Sequence, residues 1–401
     1  MSKILTGLKR SVEWPRVHLG EVANYHNGRA FKPEDWATAG IPIIRIQNLN
    51  TPSAVYNYFK GKIDSRNAVN DGDLLISWSA SLDAFMWDRG TAVLNQHIFK
   101  VEEDKEKIDR HYLYFAIKEA MAEIRNQVHG ATMQHITKPE FEAIKIPLPT
   151  YIEQKHIAAI LSEKMAVVEK ARAAAEARLN AAKELPAAYL REVFESEEAQ
   201  RWSSNRLGDL ATVIQNGIYK SAEHYGHGQP FIRMYNLPNS HWKLNLETLA
   251  QVSLDDSEKQ RFVLHKDDLL VSRVNSFELV GKCSWVGQEA DGYAFENMLI
   301  RVRFGNDTDP KFVAQQFGTS QVRQQIEKVA KRAIGQASIN SEDLRSLELL
   351  FPPIDEQRRL SRMIEEKTSA SANLCSSIES ELGAIKEIPA ALLRQAFAGE
   401  L

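Results

Sequence analysis

The chain has only two cysteines, Cys283 and Cys375, in 401 residues. That is too few for a disulfide framework or a structural zinc site, and it points to a reducing compartment. No stretch approaches the ~18 apolar residues of a membrane span. Residues 1–10 carry positive charge but no apolar signal core. The sequence therefore reads as soluble and cytoplasmic. A basic excess is missing as well: 50 Lys+Arg stand against 53 Asp+Glu, a formal charge of −3. Composition alone does not mark a nucleic-acid binder. The 43% hydrophobic and 26% charged content is ordinary for a globular protein, and the length predicts two or three domains.

Catalytic signatures are absent too. Gly61-Lys62 and Gly281-Lys282 lack the upstream glycine of a phosphate-binding loop. No Gly-x-Ser-x-Gly nucleophile elbow occurs. His224-x-x-His227 has no nearby cysteine or carboxylate to complete a metal site. Glu103-Asp104-Lys105 lies in a charge run that reads as a solvated face. Phe351-Pro-Pro-Ile354 begins with an apolar residue where an amino-methyltransferase needs Asn or Asp, and it precedes a helix as a breaker.

What the chain does have is a copy of itself. Leu19-Gly-Glu-Val-Ala23 with Asn27-Gly28 returns as Leu207-Gly-Asp-Leu-Ala211 with Asn216-Gly217. Ile43-Ile-Arg-Ile-Gln-Asn-Leu49 returns as Phe231-Ile-Arg-Met-Tyr-Asn-Leu237, offset by 188. Asp73-Leu-Leu-Ile-Ser77 returns as Asp268-Leu-Leu-Val-Ser272, offset by 195. From about residue 136 the offset holds at 203, through Glu153-Gln154 and Glu356-Gln357 to Glu184-Leu-Pro-Ala-Ala-Tyr-Leu-Arg191 and Glu387-Ile-Pro-Ala-Ala-Leu-Leu-Arg394. Each copy thus joins a variable part to a part of fixed length.

Residues 19–101 and 207–303 carry short β-branched runs broken by Asn-Gly and Asp-Gly, which read as strands of a mixed sheet. Helical stretches follow at about 109–128 and 310–333. The fixed-length part is helical, over residues 153 to about 183 and 356 to about 386. Leu161, Val168, Ala175 and Ala182 recur every seven residues, flanked by Ile157, Met165 and Leu179. In the second copy Ile364, Ile378 and Ile385 form the stripe beside Leu360, Leu374 and Leu382, interrupted by Lys367 and Ser371. Heptad spacing suggests a coiled-coil pair, each helix of ~30 residues being about 45 Å long.

Several segments carry a family resemblance. They are Trp14-Pro with Leu19-Gly20-Glu21, Ile146-Pro-Leu-Pro149 before Glu153-Gln154, its copy before Glu356-Gln357, and the closing Leu392-Leu-Arg-Gln-Ala-Phe397. In this order the whole chain resembles the specificity (S) subunit of type I restriction–modification systems. The resemblance implies an α+β fold: two mixed α/β target-recognition domains separated by a long antiparallel two-helix coiled coil, with an internal pseudo-two-fold repeat. The divisions are 1–150 and 201–350 for the recognition domains, and 151–200 and 351–401 for the helical spacers. It implies a non-catalytic reader of double-stranded DNA that binds two copies of a methyltransferase (M) subunit and two of a restriction (R) subunit. S-adenosylmethionine, ATP and Mg would belong to those partners, with no cofactor or metal on this chain. Two dissimilar readers on a spacer predict an asymmetric bipartite target, the half-sites roughly 13 base pairs apart for a ~45 Å spacer.

Candidate DNA-binding residues are polar and aromatic side chains at predicted strand ends. In the first copy they are Arg29, Lys32, Arg45, Gln47, Asn48, Ser77, Trp78, Gln96, Thr132, Gln134 and His135. In the second they are Tyr219, Lys220, Arg233, Tyr235, Asn236, Arg273, Asn275, Asn297, Arg332, Gln336 and Ser338. Arg pairs with guanine and Asn or Gln with adenine, which is why these types are chosen. Positions shared by both copies, Arg45/Arg233 and Asn48/Asn236, suit a fold or phosphate role better than base contact, since the two readers are dissimilar. Leu185, Tyr189, Phe194, Ile388, Leu392 and Phe397 are candidates for docking the methyltransferase, or for packing within their own unit. Residues 1–150 carry 19 Lys+Arg and 18 Asp+Glu, and residues 205–349 carry 17 and 18, so weak DNA binding without partners is expected. Two rival readings stay open, a coiled-coil adaptor that recognises no DNA and a stand-alone DNA-modifying enzyme.

Overall fold

A computed structural model describes residues 14–79, 82–127, 136–239 and 241–401. Its contacts form two compact units. One runs through Glu176 and takes in Ser380–Leu401; the other is Ala177–Glu379.

In the first unit an antiparallel sheet has the spatial order Ala23–Asn27, Ile98–Glu103, Leu74–Ser77, Asp83–Met86. A second sheet is ordered Asn57–Phe59, Ile41–Ile44, Ala92–Leu94, Ala68–Val69, with the middle pair parallel. The strand Leu74–Ser77 explains why an unbroken apolar run stands where an alternating one is usual. Side chains alternate faces along a strand. Leu74 and Ile76 join a core with the helix Arg110–Gln127, while Leu75 joins another with Ile44 and Leu94 of the second sheet. Arg16–His18 pairs antiparallel with Lys145–Pro147 and closes the unit where its chain enters and leaves.

The second unit repeats this plan. Its main sheet is ordered Ala211–Asn216, Leu299–Phe304, Leu269–Ser272, Cys283–Trp285. Leu269 and Val271 face one core and Leu270 another. Ser203–Arg206 closes the unit against Glu348–Phe351. Lys331–Ala333 and Gln336–Ser338 form a hairpin that pairs with Val274–Asn275.

Two helices of 44 residues each follow, Tyr151–Phe194 and Ile354–Phe397. The first is started by Glu153, whose carboxylate accepts hydrogen bonds from Thr150 N (2.9 Å) and Thr150 Oγ1 (2.7 Å). The next residue ties each helix to its unit. Buried Gln154 donates to the carbonyls of Lys107 and Pro149 and accepts from Asp109 N; buried Gln357 donates to Asp307 and Pro352 and accepts from Asp309 N. The repeated glutamine thus fixes the direction in which each helix leaves its sheet.

Within the second unit the helices pair antiparallel: Ser371 Oγ reaches Ala182 O (2.9 Å), Lys367 reaches Glu192 (2.9 Å) and Lys183 reaches Glu379 (3.8 Å). Both helices run longer than the ~30 residues expected, because Pro186 and Pro389 lie inside them rather than ending them. Each spans about 66 Å, so the base-pair estimate built on ~45 Å does not stand. Proline 186 removes the N–H that would serve the carbonyl four residues back, that of Ala182. Ser371 donates to that same carbonyl. The stripe therefore includes Ser371, which is buried, and leaves out Leu374, which is 42% exposed. Among the described residues no helix is long and apolar enough to cross a membrane.

Candidate nucleic-acid interface

The same crossing is built in each unit where the first strand of the main sheet ends. Gly28 N donates to Ile98 O (3.2 Å), and Gly217 N donates to Leu299 O (3.0 Å). A Cβ at Gly28 would stand 2.3 Å from the carbonyl oxygens of Leu94 and Asn95. At Gly217 it would stand 2.4 and 2.2 Å from those of Phe295 and Glu296. Only glycine fits so close an approach. The following residues then lock together: Arg29 N to Leu94 O and Gln96 N to Arg29 O in one unit, Ile218 N to Phe295 O and Asn297 N to Ile218 O in the other.

On this shared backbone the first unit displays Asn27, Arg29, Trp78, Gln96 and His97. Asn27 Nδ2 donates to Gln96 O (3.3 Å), and the side chains of Gln96 and His97 meet at 3.1 Å. The Trp78 ring lies between His97 (5.5 Å) and Phe99 (5.7 Å), stacked on the latter. Exposed Arg29 is held by Asp35 (3.0 Å) and lies over Phe59 (4.8 Å) and Phe31 (5.2 Å). Arg45 lies over half-exposed Trp36 at 5.6 Å. Gln47 and Lys32 are exposed, the latter 3.9 Å from Glu34.

The second unit places different side chains on the matching positions. Arg273 stands where Trp78 stands, one residue after the shared serine; Ile339 N donates to its carbonyl as Ile136 N does to that of Trp78. Arg273 Nη1 reaches Asn297 O (3.5 Å), and Asn275 Nδ2 donates to Ser272 Oγ (3.3 Å). Asn275 and Ala337 are partners in the ladder, which brings Gln336, Ser338 and Arg332 of the hairpin alongside. Tyr219 is 74% exposed and Tyr235 53%. Arg233 lies between the rings of Tyr225 and Tyr235 and bonds Glu296 at 3.0 Å. Its hydrogen bond to the Glu296 carboxylate holds its guanidinium above the ordinary arginine range, burial opposing.

Other candidates are set aside by their surroundings. Asn48 and Asn236 are buried: each accepts from the backbone N–H three residues earlier and donates to two carbonyls of the loop beyond, so they hold that loop. Ser77 is buried and donates to Ser79 O. Lys220 is engaged by Glu258 at 2.6 Å. Thr132, Gln134 and His135 lie outside the described residues. Of the docking candidates, Phe194 is 2% exposed in a core with Phe312 and Leu360, and Tyr189 lies under Lys367. Leu392 and Phe397 pack on the first unit's core, Phe397 against Tyr112. These two phenylalanines pack on the recognition domain of the other copy, Phe194 beside Phe312 and Phe397 beside Tyr112, rather than on that of their own. Leu185 is half-buried and Ile388 is 40% exposed.

Asn27, His97, Phe277, Met298 and Ile334 belong to these surfaces as well; of these only Asn27 stands in a motif visible in the sequence, the repeated Asn-Gly. Among the described residues no group of three or more His, Cys, Asp or Glu side chains is placed to hold a metal ion. Glu103 instead pairs with Arg110 (2.8 Å) and Asp104 with Lys107 (2.9 Å).

A duplicated α+β unit with a common backbone, dissimilar displayed side chains and paired long helices defines a two-part recognition protein. The model of the type I restriction modification DNA specificity domain matches residues 11–174 and again 200–374, and the chain belongs to that family. It is similar to the type I restriction enzyme EcoBI specificity subunit of Escherichia coli, 23% identical over 97% of this chain and 86% of that one. A solved chain described under complex assembly and conformational transition of the type I R-M system shares the fold at TM-score 0.74, with 18% identity, covering 97% of this chain and 98% of that one. The HsdS subunit from Thermoanaerobacter tengcongensis shares it at 0.62, also with 18% identity and 97% of both chains covered. This chain is a specificity subunit by family, the class whose role is recognition rather than catalysis.

Proposed function

We propose that each unit reads one half of an asymmetric bipartite target in duplex DNA. The chain then presents that duplex to two methyltransferase subunits and, in the full assembly, to two restriction subunits. S-adenosylmethionine, ATP and Mg are taken up by those partners. The observation that carries this reading is the glycine crossing built twice with different side chains on it. A shared frame with Trp78, Gln96 and His97 on one copy and Arg273, Asn297 and Met298 on the other suits two readers of unlike sequence. Identical half-sites would favour identical displays.

Near-neutral charge in both units supports dependence on partners, since non-specific affinity follows the number of phosphates neutralised. The test is to co-express the chain with its methyltransferase subunit and map methylated adenines. Two unlike half-sites separated by several unread positions are expected. A continuous palindrome, or methylation without sequence preference, overturns the reading.

A further inference from the structure

The hairpin Lys331–Ala333/Gln336–Ser338 is built to project and to stay rigid. Its base is fixed: Gln336–Ser338 pairs with Val274–Asn275, Ala337 is buried, and Ile339 N donates to Arg273 O. Its tip is open. Gly335 takes φ +73°, and Ile334 beside it is fully exposed. Lys331 and Arg332 are exposed on its first strand, and Lys328 is exposed on the helix Ser320–Val329 just before it.

Arg332 is held in an unusual way. Its guanidinium lies 3.6 Å from the centre of the Phe277 ring. Among the described residues no hydrogen bond or ion pair engages it, so its donor edge is free. Phe277 is itself positioned by Arg323, which donates to the carbonyls of Phe277 and Val280 and pairs with Glu327 at 2.9 Å. One arginine thus fixes the ring, and the ring orients the other.

We propose that this hairpin enters the major groove of the DNA half-site read by the second unit. Arg332 reads a guanine there through its free edge, and Ile334 packs on a thymine methyl. The proposal rests on the DNA-reading role above and names the element that performs it. The major groove admits a two-stranded ribbon, and it displays both the guanine acceptors and the thymine methyl. A protein partner fits less well. Stable interfaces bury roughly 800 Å² on each side, and a single exposed isoleucine between basic residues offers a small fraction of that. A charged rim around one apolar contact is complementary to a polyanion carrying methyl groups.

The test uses the full chain in complex with its methyltransferase subunit, with methylation mapped over random-sequence duplexes. Arg332→Ala is expected to lose about 10- to 100-fold in preference at one base pair of one half-site, the other half unchanged. Arg332→Lys keeps the charge and loses the fork, and is expected to lose the same preference while keeping total DNA affinity. Ile334→Ser is expected to relax one neighbouring position about 5- to 10-fold. Unchanged preference at the remaining positions of the same half-site shows that the second unit is folded in each variant. Wild-type preferences in all three variants overturn the hairpin proposal and leave the DNA-reading role intact. So does a loss of assembly with the methyltransferase at unchanged preference, which would assign the hairpin to protein docking. A wild-type complex without sequence preference instead overturns the role itself.

Discussion

Trp78 and Arg273 occupy one place in two copies of a fold, and little else about them agrees. Each follows the buried serine of an Asp-Leu-Leu-x-Ser strand, and each has its carbonyl bonded by an isoleucine N–H from further along the chain. One is an indole stacked on Phe99 and the other a guanidinium reaching Asn297. Around them, Gly28 and Gly217, Asn48 and Asn236, and Gln154 and Gln357 keep identity as well as place. Residues that must fit the backbone are held in common, and residues whose side chains do not serve the backbone are free to differ. Recurrence between copies therefore separates framework from display.

The framework also differs where it is charged. Asp268 is fully buried and takes both forks of Arg303, at 2.6 and 2.7 Å. Asp73 in the matching place meets Lys100 at 2.8 Å, with Arg110 3.9 Å away and 15% of its side chain exposed. Breaking a buried pair leaves an uncompensated charge at a cost of about 3–5 kcal/mol. Arg303→Met should thus loosen the second unit by about 3 kcal/mol, read as faster amide hydrogen exchange in Leu269–Ser272. Lys100→Met should cost about 1 kcal/mol, because water and Arg110 still serve Asp73. Equal losses would show that the two aspartates are equally dry in solution.

A smaller effect separates the halves by function. Gly28→Ala and Gly217→Ala force a methyl against carbonyl oxygens, an overpacking of about 1–3 kcal/mol. Each should degrade methylation preference in its own half-site and spare the other. Gly383, which a Cβ would leave in open space within the second helix, serves as the control. There Gly383→Ala should stabilise by about 0.5–1 kcal/mol without touching either half. Loss at both half-sites from one crossing glycine would contradict independent readers.

Much of the framework was legible because repetition and strand chemistry are local signals. The paired copies, the Asp-Leu-Leu strands and the two helices follow from offsets and periodicity alone. What misled were residue types judged apart from their neighbours. Asn48 and Asn236 enter the base-reader set because asparagine pairs with adenine, but their recurrence in both copies points to the fold, and each closes on the backbone three residues back. The helices are expected only to about residues 183 and 386, short of Pro186 and Pro389; a proline's cost is visible in sequence, whereas the donor that Ser371 supplies beside Pro186 is not. Phe194 and Phe397 looked exposed for lack of a partner nearby in the chain; Phe312 and Tyr112, their partners, lie over a hundred residues away in sequence. The candidate surface was the least legible part, since Phe277, His97 and Ile334 acquire meaning only from the elements that carry them.

The helices themselves offer the finest contrast. Ser371 in the second has Val168 as its counterpart in the first, and valine has no proton to donate. The difference has a stated physical use: Pro186 leaves Ala182 O without its helical donor, and Ser371 supplies one at 2.9 Å inside the paired helices. A buried carbonyl left unserved costs about 1–3 kcal/mol. Ser371→Ala should therefore lower stability by about 1 kcal/mol or more in denaturant unfolding. Pro186→Ala restores an N–H to the same carbonyl, so in that background the serine should matter far less. The two changes should be coupled by about 1 kcal/mol in a double-mutant cycle. Strict additivity would mean that Ser371 is buried for its size rather than for the hydrogen bond, and that the interruption in the apolar stripe is not the counterpart of the proline.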